Sequence, residues 1–272
     1  MLVEETSGLM RGRLLLNVLL LVCAATLGGW IYQRGSSDAA HQRLAAIDPL
    51  TVRRIEVTRA DAEQLVLVRR SADDWQLLKP QVLPASGYHL DLLLAFLQAP
   101  VAARYPSTEV DLAAVGLAQP RLVLRVDSQD FAFGSLDPLQ QRRYLRHGDE
   151  VLLVREGVSA ILASPWWNFI DRRLLPAGEP RALHFADGHV RVLDPPLQRL
   201  WQQASASIVR PLAAGVAGEA LALELRSGER IDWQWLGGGQ PRLLRPELGL
   251  EYQLPPGLLE ALLGREPEKK AL

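Results

Sequence analysis

Cysteine is almost absent: Cys23 is the only one in 272 residues. A single thiol excludes an internal disulfide and any zinc or iron–sulfur site built from cysteines. Lysine is nearly as scarce, with Lys79, Lys269 and Lys270 alone, so arginine carries the positive charge. No charge excess exists either. Thirty Lys and Arg against 31 Asp and Glu leave a formal net charge of −1, which removes the electrostatic footprint of a nucleic-acid binder. Catalytic signatures are missing as well. The chain holds no HExxH, no GxSxG elbow, no P-loop and no GxGxxG. Gly237–Gly239 is glycine-rich but falls between two strand patterns, without the following helix whose N-terminus would bind phosphate. His184 and His189 flank the turn FADG and stand across a hairpin in this reading, with Asp187 as the only further ligand nearby, too few for a metal centre. Adjacent acids such as Asp149–Glu150 belong to turns, and a glycosidase would need two carboxylates converging across a cleft. No catalytic, cofactor-binding or metal residue is assigned, no cofactor is expected, and the chain is not read as an enzyme.

What is present, in one place only, is a long hydrophobic run. Leu14 to Tyr32 (LLLNVLLLVCAATLGGWIY) carries no charge. As a helix it would span ~28 Å, close to the ~30 Å hydrocarbon core. Arg11 and Arg13 precede it, and Trp30 and Tyr32 close it at the level of an interfacial aromatic belt. The span is read as an uncleaved signal anchor, with Leu14, Leu20, Trp30 and Tyr32 as its membrane residues. A cleaved signal peptide and a lipoprotein anchor at Cys23 are the alternatives. The two arginines favour a cytoplasmic N-terminus, although Arg34, Arg43, Arg53 and Arg54 after the span weaken that bias.

Beyond the span the chain reads as strands with a few helices. VRRIEVTR, the Leu65–Val68 run and Trp75–Leu78 alternate as strands; Leu90, Leu93, Leu94 and Leu97 form one helical stripe. DLAAVGL (111–117) reads as one short helical turn stopped by Gly116 and Pro120. RLVLRV, FAFG, RYLR and VLLV then form a β-meander closed by a helix at Val158–Ala163. In the second half, RALHF and HVRVL precede a helix capped by Asp194, with Leu197, Leu200, Trp201, Ala204 and Ile208 on one face. LALELR, IDWQWL, RLLR and LEYQL form a second meander closed by a helix at Gly257–Leu263. Residues 121–163 and 221–263 thus share one order of elements, which reads as an internal duplication.

Two clusters remain. Arg142–Arg143, Arg146, Arg172–Arg173, Arg242 and Arg245 lie among apolar residues, either as an anion- or partner-binding face or as an ordinary mixed surface. Trp166, Trp167 and Phe169 sit in SPWWNFIDRRLL between the halves. Exposed, they would be a partner contact; buried, they would wedge the halves into one body.

DLAAVGLAQPRLVLRV (111–126) resembles a segment of the bacterial family called domain of unknown function 4340. VRRIEV, WQLLKP (75–80), Phe133–Gly134 with Arg143–Tyr144, and FIDRRLL (169–175) are similar to further segments of it, over roughly residues 48–200. The resemblance implies a membrane-anchored envelope protein whose relatives accompany transporters resembling gliding-motility ATP-binding cassette exporters. It implies no catalytic residue.

The expected fold is α+β: an N-terminal transmembrane helix, then antiparallel sheets with packed helices in two similar β-α-β-meander halves. The expected segments are a cytoplasmic N-terminus (1–13), the anchor (14–33), a linker (34–50), the two halves (51–168 and 169–264) and a tail (265–272). The expected function is that of a membrane-anchored periplasmic accessory or scaffold protein of a bacterial envelope complex, with the inner membrane and an envelope protein as partners. The alternative is a periplasmic module binding a glycan, lipid or small molecule in the groove between the halves.

Overall fold

The computed structural model describes residues 43–72, 74–137 and 141–265. The expected anchor, with Leu14, Leu20, Cys23, Trp30 and Tyr32, lies outside them, as do most of the linker and of the tail. Among the described residues no helix is long and apolar enough to cross a membrane.

Among the described residues, the body is built from two antiparallel sheets and four short α-helices. The first half runs β1 (Arg54–Arg59), β2 (Ala62–Arg69), β3 (Trp75–Lys79), β4 (Leu83–Pro84), α1 (Gly87–Phe96), β5 (Val101–Pro106), β6 (Leu122–Val126), β7 (Gln129–Asp137), β8 (Arg142–His147), β9 (Glu150–Arg155) and α2 (Ser159–Ala163). The second runs β10 (Pro180–Phe185), β11 (Val190–Val192), α3 (Pro195–Gln203), β12 (Ile208–Pro211), β13 (Glu219–Leu225), β14 (Arg230–Leu236), β15 (Arg242–Arg245), β16 (Leu250–Gln253) and α4 (Leu258–Leu262). The first sheet is ordered β4-β3-β2-β1-β6-β7-β8-β9-β5, the second β11-β10-β13-β14-β15-β16-β12. Apart from the added β3–β4 hairpin, the two orders correspond strand for strand. Each half has a hairpin, a helix that carries the chain to the far edge, an edge strand, and a meander that returns to pair with both.

The correspondence reaches further back than the strands. In the first half the backbone before β1 pairs with the connection from helix to edge strand: Leu44 N–H donates to Ala99 O (2.9 Å), and Arg43 bridges Pro100. In the second half Leu174 N–H donates to Ala204 O (3.0 Å), and Arg173 bridges Ser205. Leu44 and Leu174 are both buried. The described end of the expected linker is therefore a lead segment of the first half, packed into its core.

Local sequence explains most elements. The stripe Leu90, Leu93, Leu94 and Leu97 is buried as expected. Asp194 caps α3 by accepting from Leu197 N–H at 2.9 Å, with prolines following in the first turn. DLAAVGL makes the single turn expected of it, with Val115 N–H donating to Asp111 O at 3.2 Å, and does not extend into a helix. Two expectations are corrected. The helix expected to carry Ile208 ends at Gln203, because Ala204 is extended (ψ 132°), and Ile208 opens β12 with its side chain half exposed. The loop expected after FAFG is shorter, since β7 continues to Asp137. The edge strands β5 and β12 were not expected at all.

One continuous cluster of buried apolar side chains joins both halves, from Leu44 to Leu263. Trp201 lies at its second-half end and donates its indole N–H to Leu262 O at 3.1 Å. Glu251, 3% exposed, is the one buried charge among the described residues. Its carboxylate on β16 accepts from Arg210 on β12 and from Arg242 on β15 (3.0 Å), closing an Arg–Glu–Arg triad across three strands. Removing both cations would strand the buried carboxylate, whereas an apolar replacement of Glu251 leaves two arginines that reach water. The double variant Arg210→Ala/Arg242→Ala should lose about 3–5 kcal/mol in urea unfolding, and Glu251→Leu clearly less.

Candidate functional site

The candidate site is the seam between the halves, built by residues 164–175. After Pro165, Trp166–Phe169 makes one 3₁₀ turn. Phe169 is 1% exposed; Trp166 and Trp167 are half-buried against the core, edge to face at 5.8 Å. Of the two readings open for this cluster, the wedge describes Phe169, while both tryptophans keep part of their surface at the junction.

The backbone that follows is strand-like and pairs on both sides. Toward the first half, Phe169 O accepts from Ser86 N–H (2.7 Å) and Asp171 N–H donates to Pro84 O (2.9 Å), with Ile170 bridging Ala85. Toward the second, Arg172 O accepts from Ala206 N–H (2.8 Å) and Leu174 N–H donates to Ala204 O. Ile170, Leu174 and Leu175 are buried with Phe169. The seam is therefore filled with apolar side chains and zipped by main-chain hydrogen bonds.

What stays open at the seam is a cleft of about 650 Å³ between Tyr88, His89, Arg172, Arg173 and Ser205. Arg173 is held by Asp171 at 2.7 Å, and Arg172 donates to Ser207 O at 3.1 Å. His89 packs 5.5 Å from the Phe169 ring, with Nδ1 3.2 Å from Ser86 Oγ. Burial, then the neighbouring Arg172 charge, pushes the His89 imidazole below its ordinary range.

The segments carrying the family resemblance also meet. Asp111 Oδ1 accepts from Ala113 N–H (3.0 Å) and Ala114 N–H (3.2 Å), and Gly116 turns the chain at φ +71°. Val115 O then accepts from Ser135 N–H at 2.7 Å, and buried Leu117 lies over Gly134. A Cβ at Gly134 would stand 2.4 Å from Val115 O and 2.9 Å from Leu117 Cγ. Arg143 donates to Gly134 O at 2.6 Å and pairs with Glu156. These motif residues form a packing lock of the DLAAVGL turn on β7.

The other residues singled out in the sequence are dispersed. His184 pairs across the hairpin with Val190, not His189, and sits 2.7 Å from Glu224. Among the described residues no three His, Cys, Asp or Glu gather as metal ligands. Arg242 and Arg245 are held by Glu251 and Glu247. The cleft residues Tyr88 and His89 were not singled out; nothing local marks them, because their neighbours come from 80 residues downstream. Comparison of the chain with protein-family models, curated proteins and solved structures returns no match. The family resemblance rests on the residues quoted for it.

Two outcomes follow. Gly134→Ala should cost about 1–3 kcal/mol by overpacking, read as a lowered urea midpoint. His89 takes up its proton at lower pH when folded than when unfolded, where histidine titrates near ~6.5. Its contribution to stability is present above that pH and is lost as pH falls through the lowered folded value. As pH falls below ~6.5 the urea midpoint should fall more steeply for the parent chain than for His89→Asn.

Proposed function

We propose that this chain is a membrane-anchored accessory or scaffold protein of a bacterial envelope complex. It is held in the inner membrane by residues 14–32 with its body in the periplasm, and it acts by protein contact. The observation that carries this reading is the filled seam. Backbone pairing on both sides of residues 169–174 joins the halves through buried apolar side chains, and Trp166 and Trp167 keep surface at the junction. A ligand module working in that groove would want a deep, aromatic-lined pocket; the cleft that remains is open, with Arg172 and Arg173 in its wall. The uncharged Leu14–Tyr32 run and the family resemblance support the anchor and the compartment. The two halves are read as products of one duplication, supported by the shared strand order and the paired lead segments.

The test has two arms. A reporter active only in the periplasm, fused after Leu272, should be active; activity of a cytoplasmic reporter alone would reverse the topology. Affinity purification from detergent-solubilised membranes at native expression should recover defined partners. The Trp166→Ala/Trp167→Ala variant, checked for folding by circular dichroism, should lose them, since exposed aromatics are where binding energy concentrates. Recovery of the chain alone would count against the scaffold reading.

A further inference from the structure

We propose that the first half binds a fatty-acid-type amphiphile, a single acyl chain ending in a carboxylate, in the groove between α1, α2 and the β5–β9 edge. Two adjoining cavities have the shape of such a ligand. One, about 620 Å³, is walled by Leu92, Phe96, Val101, Val158 and Ile161. The other, about 460 Å³, is polar, and shares Arg142, Arg155 and Glu156 with the first. The larger volume lies in the range of small-ligand sites, which are mostly apolar with a few placed polar groups.

Charge at the shared mouth selects the head. Arg142 on β8 and Arg155 on β9 stand directly opposite in register. Like charges facing each other across an antiparallel pair are unfavourable, and an anion between them removes that cost. The Arg155 side chain is exposed and makes no hydrogen bond or ion pair among the described residues. Glu156 does not serve as that anion. Its carboxylate accepts from Arg143, from the Ser159 hydroxyl and from Gly157 N–H (3.1 Å). Asp137 stands opposite Arg142 on the far side, on β7. Three guanidiniums thus stand beside two carboxylates, and of the three Arg155 is the one without a side-chain partner among the described residues. A planar guanidinium fork suits a carboxylate.

The lead segment places this groove. Arg43 bridges Pro100, which lines the groove, only eleven residues after Tyr32. Eleven residues span at most roughly 40 Å. If residues 14–32 anchor the chain, the groove stands within reach of the bilayer surface. That placement rests on the anchored reading; the binding does not.

The full chain in nanodiscs of zwitterionic lipid, with empty discs as reference, is dialysed against radiolabelled saturated carboxylates of 8–14 carbons. Affinity should rise about fourfold per methylene until the groove is full. The methyl ester should bind at least tenfold more weakly, and the alkyltrimethylammonium of equal length not at all. Arg155→Glu should weaken the carboxylate tenfold or more. Leu92→Glu, at a half-buried position in the wall, should abolish the chain-length dependence. Circular dichroism confirms that both variants fold. Retention no greater than by empty discs, or binding unchanged in both variants, would overturn the proposal. Tighter binding of a lysophospholipid or an alkyl phosphate than of the carboxylate would overturn the assigned head group. Partner capture reads a different surface, so loss of the scaffold reading would leave this result standing.

Discussion

Residues 169–174 give their main-chain groups to both halves at once. Phe169 O and Asp171 N–H are satisfied by Ser86 and Pro84, Arg172 O and Leu174 N–H by Ala206 and Ala204. A buried peptide group left without a partner is costly, so a segment bonded on both sides cannot leave one half without exposing or orphaning groups that face the other. The side chains of Phe169, Ile170, Leu174 and Leu175 add apolar burial to the same segment. A connection between two lobes is usually a surface loop; here it is an extended segment paired on both sides, with Phe169, Ile170, Leu174 and Leu175 buried and Arg172 and Arg173 exposed. The geometry of the cleft, the partial exposure of Trp166 and Trp167, and the continuity of the core from Leu44 to Leu263 follow from that arrangement.

The like order of the halves does not by itself explain why they hold together. In each half the lead segment, 43–45 or 172–174, pairs with the connection after the helix, and that pairing lies within its own half. The link across halves comes from the element that has no counterpart in the second half, the β3–β4 hairpin. Its Pro84, and Ala85 and Ser86 just beyond, supply the first-half side of the seam. The chemistry of the far edges has diverged as well. At β16 a buried Glu251 ties three strands through Arg210 and Arg242, whereas the matching β9 carries four consecutive buried apolar residues. In the first half Arg142 and Arg155 stand at the mouth of an apolar groove instead. The same strand order therefore carries a buried ion triad at β16 in one half and an apolar strand at β9 in the other.

Much of this architecture was legible from local pattern. Hairpins announced themselves by alternation around polar turns, and the Leu90–Leu97 stripe by its spacing. The two meanders were legible as a repeated order. What escaped was everything set by partners remote in sequence. The edge strands VAARYP and IVRP are short, carry proline and arginine, and become strands only by pairing with β9 and β16. Ile208 matched a helical face by spacing, yet the chain leaves the helix at Ala204 because Ala204 and Ala206 are taken by the seam. FIDRRLL shows no clean alternation, since its two sides face two different partners. The motif DLAAVGL and the separate pair Phe133–Gly134 could be read singly, but not that one lies on the other. The groove draws its wall from α1, β5, β8, β9 and α2, five elements spread over some 70 residues, and no local pattern announces such a convergence.

The lead segment connects these levels. Arg43 and Leu44 read as polar linker when only composition is considered, because one arginine among small and polar residues carries no periodicity. Packing reverses that reading: Leu44 is 1% exposed, and Arg43 O accepts from the Arg104 guanidinium on β5. The first half is therefore tied down where the chain enters it, at the rim of the groove and beside the edge strand. With the proposed anchor upstream, ten residues at most, 33–42, separate it from the first residue held on the body. A tether of that length sets how far the body can stray from a bilayer more tightly than any property of the anchor itself. It also fixes which lobe is near: the first, with its arginine-rimmed groove, while the second lobe and the tryptophans of the seam lie further along the chain. In a body anchored as proposed, the groove would stand nearer to lipid along the chain than the tryptophans of the seam, and that order follows from where the chain enters the fold.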